Sequence, residues 1–427
     1  MKPTKQLSSA FALPSSLQLL ASICLLGLIY PTTAFHTNRM FERDVSLRPP
    51  RWGPPIKRDG QVPIKVTNKC PETIWPGIGT QAGTGPGSGG FELASGASKT
   101  LTVSKDWQGR VWGRTNCSFN AAGNGASNAN GNNGGGAACD SGDCGGVLNC
   151  VMTGVSPATL AEYDLAGGTG GVQAFYDISL VDGYNLPLGI VFIPGDDPKL
   201  QKVPPNLTNA VCIATAGFVA DPAPSGTNGD SSNASYPVPY EATQSNSDIA
   251  KWCPWDLLKI QPDKPGDGVY PYPDDNIKRP IFDPCNSACA KTNAPADCCT
   301  GAFSVRADCK PNMFSLQANK VCPDAYGYAF DDQDSTFIIP TGGGFETIFC
   351  PEGRSTNILK TFKQQLQDLT GAPGAGKSLK EIDEDARNLT IILEAAKRSA
   401  AERTGREGMG CVGALVVVVA WAVFVGL

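Results

Sequence analysis

Fourteen of the sixteen cysteines fall between Cys70 and Cys350; Cys24 lies in an apolar N-terminal run and Cys411 in an apolar C-terminal one. An even set of cysteines in a secreted chain points to seven disulfides. Zinc is the other common use of clustered thiols. No second Cys-x₂-Cys pair stands at finger spacing, however, and the one histidine, His36, precedes the cysteine-rich stretch. No metal is expected. A domain of roughly 290 residues buries a core without staples. The bridges, worth ~2–4 kcal/mol each, therefore read as protection in a protease-rich medium.

The ends of the chain agree with that compartment. Lys2 and Lys5 precede "LQLLASICLLGLIY" and then "PTTAF", the layout of a signal peptide ending at Ala34. At the other end, Cys411 to Leu427 is apolar to the last residue, behind the small triplet Ser399-Ala400-Ala401 and the polar spacer "ERTGREGMG". That is the signal for a GPI anchor attached at Ser399, with a plain C-terminal transmembrane helix as the open alternative. Sequons at Asn116, Asn206, Asn233 and Asn388 fit an extracellular chain. A net charge of −5 argues against nucleic-acid partners, which select basic surfaces.

The expected organisation is a signal peptide over 1–34, a Pro/Arg-rich linker or pro-segment over 35–59 with a dibasic Lys57-Arg58, and a domain over 60–352. A stalk over 353–399 follows, then an anchor signal over 400–427. Within the domain, Val62, Ile64 and Val66 alternate as one face of a strand. "KTLTV", "GRVWGRTN" and "TLAEYDL" repeat the period of two. "FYDISLVDGYNLPLGIVFIPG" reads as two strands joined at Asp182-Gly183. Many short strands between Gly- and Pro-rich turns predict a mainly β fold, an antiparallel sandwich or flattened barrel. Residues 120–136 and 263–284 read as surface loops, and Cys253 to Cys322 as a loop-rich lobe held by disulfides. In the stalk, Ile382, Ala386, Leu389 and Leu393 recur at helical spacing.

"GAPGAGKS", Gly371 to Ser378, matches the phosphate-binding P-loop at every fixed position. A P-loop needs a buried strand before it, whereas "TFKQQLQDL" is polar. The chain from there to the anchor signal is also far shorter than a nucleotide-binding domain of about 100 residues or more. The string reads instead as a hinge, with Ser378 and Glu381 forming a capping box for the stalk helix. No cofactor is expected. With histidine missing from the domain, Ser-His-Asp, Cys-His and His-Glu-x-x-His chemistry are excluded there. Carboxylates remain for acid–base work, and they suit glycoside hydrolysis.

"CDSGDCGGVLNC" (139–150) resembles the signature of the thaumatin-like proteins, and the order of "VTNKC", "VWGRTNC", "TLAEYDL", "YDISLVDGYNLPL", "DCC", "VCPDAYGYAFDD" and "FCP" is that family's too. The resemblance covers roughly residues 61–352. It implies a β-sandwich, a disulfide-rich loop domain and a small third lobe, with a cleft between the first two. It also implies the pairs Cys70–Cys350, Cys117–Cys139, Cys144–Cys150, Cys212–Cys322, Cys253–Cys285, Cys289–Cys298 and Cys299–Cys309. Ser141, where the family usually has Thr, and the long loops at 120–136 and 254–284 are departures.

By the same resemblance an arginine and four acids line the cleft of members that bind or cut β-1,3-glucan: Arg114, Glu162, Asp177, Asp182 and Asp324. Glu162 would be the general acid and Asp182 the second carboxylate; Asp177 and Asp324 would tune their pKa values and hold hydroxyls, and Arg114 would orient the acids. Plainer roles stay open for each. Glu162 could face solvent, Asp182 could make the turn before Gly183, Asp324 could cap a helix, and Arg114 could be a structural partner of the acids. On a straight strand Asp177 and Asp182, five apart, would face opposite sides and meet only if the chain bends. The expectation is a monomeric cell-surface protein binding β-1,3-glucan, with weak endo-glucanase activity, in wall remodelling or defence. A non-enzymatic wall or defence module is the alternative.

Overall fold

The alternation at the head of the domain becomes a strand for the expected reason: β1 (Gln61–Asn68) buries Val62, Ile64 and Val66 and turns Gln61, Pro63 and Lys65 outward. The computed structural model describes residues 60–366 except 129–133, 152–153, 222–237, 262–283, 332–334 and 364. The two flanking segments, Lys57-Arg58, Asn233, Asn388, the Gly371–Ser378 string and Ser399 lie outside the described residues.

Ten further strands follow: β2 (Gly77–Ala82), β3 (Ser98–Ser104), β4 (Gln108–Trp112), β5 (Leu160–Gly167), β6 (Gln173–Ser179), β7 (Leu188–Ile193), β8 (Ala210–Cys212), β9 (Ala325–Tyr326), β10 (Phe337–Pro340) and β11 (Gly344–Phe349). They form two sheets. One has the order β3-β1-β11-β7-β8; the other runs β10-β6-β5-β4-β2, with β9 also beside β6. Most neighbours are antiparallel, but β1–β11 and β6–β9 are parallel. The stretch read as two strands around Asp182-Gly183 is two strands, yet they do not pair. β6 belongs to one sheet and β7 to the other, and the chain crosses between the layers after the turn.

Aromatic rings fill the space between the sheets. Tyr163 and Tyr176 lie 5.3 and 5.0 Å from Phe345, and Tyr176 stacks on Phe337 at 5.3 Å. Each such pair adds ~0.5–1.5 kcal/mol beyond area burial. The buried Tyr163 hydroxyl is satisfied by Thr347 at 2.7 Å.

Seven disulfides join the pairs that the resemblance implies. Cys70–Cys350 ties the end of β1 to the end of β11, closing 280 residues of sequence, a constraint of about 5–6 kcal/mol in the chain-entropy picture. Cys253–Cys285, Cys289–Cys298 and Cys299–Cys309 hold a lobe of short helices: α1 (Asn246–Ile249), α2 (Ala288–Thr292), α3 (Pro295–Cys298) and α4 (Met313–Val321). Helices this short do not persist alone in water. The bridges and caps at Ser245, Ser287 and Asn312 replace the missing length.

The packed body runs past residue 352. Arg354, Ser355 and Thr356 are buried, as are Ile358, Leu359 and Leu366 on and after α5 (Ile358–Thr361). Arg354 is held by the Glu241 carboxylate at 3.1 Å and by the carbonyl oxygens of Glu241, Ala220 and Gln244. Among the described residues no helix is long and apolar enough to cross a membrane.

Candidate functional site

On the outer face of the six-stranded sheet three charged residues stand directly across from one another: Arg110 on β4 opposes Glu162 on β5, which opposes Asp177 on β6. Their strand neighbours Val111, Tyr163 and Tyr176 point the other way into the core, so period-two alternation places all three on one face. Arg110 Nε lies 3.6 Å from Glu162 Oε1, and both side chains are under 5% exposed. Removed from water, opposite charges at this distance attract several-fold more strongly than on the surface.

Asp182 joins the row through a bend. β6 stops at Ser179, the Gly183 amide donates to the Leu180 carbonyl, and Gly183 takes φ of 92°, a conformation that favours glycine. A Cβ there would also stand 2.4 Å from the Cys285 carbonyl oxygen. The turn brings Asp182 Oδ2 to 3.8 Å from Arg110 Nη1, with a fifth of its side chain still exposed. One guanidinium thus faces two carboxylates, one from β5 and one from the turn after β6. Asp177 is wholly enclosed. Its charge is felt through the sheet: the Tyr163 phenol is pushed up chiefly by burial, is partly relieved by Thr347, and is raised further by Asp177.

The signature loop beside this face is built by internal satisfaction. Asp143 Oδ1 accepts from the amides of Ala138 and Cys139, and its Oδ2 accepts from Gly146. Gly142, Gly145 and Gly146 all take positive φ, which is why the loop is glycine-rich. The Ser141 hydroxyl bonds Thr115 and accepts from Asn185.

A family model described as the thaumatin family matches residues 68–351. The chain belongs to the thaumatin family. It is 38% identical over 288 residues to "Pathogenesis-related protein 5" of Arabidopsis thaliana, covering 67% of this chain and 89% of the relative. It is also 38% identical over 289 residues to "Thaumatin-like protein 1" of Pyrus pyrifolia, with the same coverages. "Pathogenesis-related thaumatin-like protein 3.5" of Cryptomeria japonica is 35% identical over 298 residues, 69% of this chain and 92% of that one.

In this thaumatin-family domain the arginine among the acids is Arg110, and the expectation for Arg114 needs correcting. β4 ends at Trp112, and Gly113-Arg114 leaves the sheet. The Arg114 guanidinium is fully buried and donates to four carbonyl oxygens: Trp75 at 2.7 Å, Val147 at 2.9 Å, Leu148 at 2.8 Å and Pro76 at 3.2 Å. Burial pulls its pKa down to about 10 while Asp143 pulls it back up, so it stays charged at neutral pH. It holds the loop closed by Cys144–Cys150 rather than a ligand. The sequence signal for Arg110 was its place one residue before the core-facing Val111.

The ligand role expected for Asp324 is corrected in the same way, in favour of the helix cap that stood beside it. It precedes Ala325, which pairs with Ile178, so its backbone is level with Asp177. Its carboxylate instead accepts from the amides of Ile358 at 2.8 Å and Leu359 at 3.0 Å, capping α5. Burial nevertheless raises its pKa, against the lowering by those bonds and by Thr356. Asn206 is also unsuited to its expected glycan, because it is buried in the turn Pro205–Leu207. Asn116 is exposed, with its amide donating to Asp140.

A cavity of about 370 Å³ lies away from the acids. It sits where Gln61 and Val62 of β1 face Leu165, Ala174 and Thr341, on the core side of the sheet. No carboxylate lines it, so its size alone does not make it the site. Among the described residues no group of three or more His, Cys, Asp or Glu side chains is placed to hold a metal.

Proposed function

We propose that this thaumatin-family protein is an extracellular, GPI-anchored defence or wall protein whose acidic row binds β-1,3-glucan. The observation that carries the reading is the guanidinium of Arg110 set between Glu162 and Asp182, with Asp177 next in the row. A sugar hydroxyl both donates and accepts, and carboxylates beside a fixed guanidinium offer both partners within one grip. The pathogenesis-related names of the relatives support the defence role.

Weak endo-glucanase activity belongs to the same proposal, with Glu162 as proton donor and Asp182 as second carboxylate. Proton donation by Glu162 has to overcome the cation 3.6 Å away. The near-complete enclosure of Glu162 and Asp177 favours the second reading, a module that binds glycan or a protein without turnover. Binding therefore ranks ahead of hydrolysis.

Titration of the protein with soluble β-1,3-glucan tests both. Saturable binding abolished by Arg110→Gln is the expected result, and no binding by the wild type overturns the proposal. Reducing ends released by the wild type and not by Glu162→Gln would establish catalysis; binding without product would assign the non-enzymatic role.

A further inference from the structure

A second row of side chains lies beside the charged one, on the same face of the same sheet. Gln108 on β4, Asp164 on β5 and Phe175 on β6 are direct cross-strand partners. Each is two residues from Arg110, Glu162 or Asp177, a step of about 6.6 Å along the strands. Gln108 Nε2 donates to Asp164 Oδ1 at 3.3 Å, and the Ala166 amide donates to the same oxygen at 3.3 Å. Asp164 is buried, while Gln108 and Phe175 stay partly exposed. Phe175 contributes nothing to the aromatic core between the sheets, because its neighbours Ala174 and Tyr176 take the inward positions.

Gly167 explains how the ring and the carboxylate come together. Pairing between β5 and β6 shifts register between Asp164 and Gly167, the kind of irregularity that re-aims side chains. A Cβ on Gly167 would stand 2.2 Å from the Phe175 ring and 2.9 Å from Asp164 Oδ2. Glycine there lets both side chains close on one spot, an aromatic face beside a carboxylate and an amide.

That combination suits a β-linked glucosyl ring. Its equatorial hydroxyls leave the axial C–H groups as an apolar face for the phenyl ring. The hydroxyls at its edge can donate to Asp164 and accept from Gln108. We infer that Gln108, Asp164 and Phe175 form an additional sugar subsite that lengthens the proposed glucan site and selects for longer chains. This rests on the glucan-binding reading of the charged row, and the experiment separates the two.

Wild type, Phe175→Leu, Asp164→Asn and Arg110→Gln are titrated calorimetrically with laminaritriose and laminarihexaose, each variant's thermal midpoint serving as the folding control. The expected result is that Phe175→Leu and Asp164→Asn weaken the hexaose roughly 3- to 10-fold, the range of one aromatic contact, and leave the triose unchanged. Phe175→Tyr restores hexaose affinity, and Arg110→Gln weakens both sugars. Equal losses for both sugars in Phe175→Leu, or no loss for either, overturn the subsite while leaving the charged row intact. A wild type that binds neither sugar overturns both readings. If Asp164→Asn fails to fold, Gln108→Ala, a partly exposed change, takes its place: weakened hexaose binding supports the subsite, and unchanged hexaose affinity counts against it.

Discussion

Arg110 and Arg114 leave one stretch of chain four residues apart, are both enclosed, and end in opposite surroundings. Arg110 stays on the sheet and meets carboxylates from β5 and from the bend after β6. Arg114 leaves the sheet and meets the backbone of residues 75–76 and 147–148. A cation surrounded by carbonyl oxygens has its donors assigned to folding, and no partner there can be exchanged for a ligand without opening the loop. A cation among carboxylates sits in a network that a hydroxylated ligand can enter. Burial alone does not tell the two apart; the chemistry of the acceptors does.

The two arginines should differ most visibly in stability. Arg114→Met leaves four carbonyls without their shared donor and is expected to cost about 3–5 kcal/mol, read from denaturant midpoints. Arg110→Met is expected to cost less, because Asp182 can turn to water. Equal losses would make both arginines structural. Replacing Cys144 and Cys150 together by serine removes a short covalent loop and is expected to lower stability by about 2 kcal/mol. Glucan binding should survive that change if the signature loop is scaffold only.

A smaller effect is expected for Glu162→Gln, a near-isosteric change that keeps stability within about 1 kcal/mol and leaves glucan binding measurable while ending any release of reducing ends. The smallest concerns Asp324. Its folded pKa is raised by burial, so the native state holds its proton more tightly than the unfolded chain. Its contribution is fully present below the unfolded carboxylate pKa and is lost as pH rises through the folded value. Asp324→Asn should flatten the slope of stability against pH in the acidic range. Identical slopes in the two proteins would refute the assignment.

The strands were legible because alternation is local: Val62, Ile64 and Val66 announce β1 without help from the rest of the chain. Glu162 and Asp177 were legible from motif strings, and the bend that Asp182 requires was foreshadowed by Gly183. What failed depended on distant partners. Nothing local to Asp324 reveals that α5, more than thirty residues later, brings two amides to its carboxylate. The same holds for the 173–193 stretch, where alternation marks two strands but cannot say that β7 pairs with β11. Arg110 and Arg114 share one motif, and the end of β4 at Trp112, which separates their fates, has no signature in the residues themselves.

The parallel pairing of β1 with β11, sealed by Cys70–Cys350, has a mechanical consequence. Tension applied between Gln61 and Pro351 runs along β1, through one sulfur–sulfur bond, and out again. Residues 71 to 349, the acidic row included, hang outside that covalent path. A pull on the chain would load β1 and its hydrogen bonds to β3 and β11 before it reached the charged row.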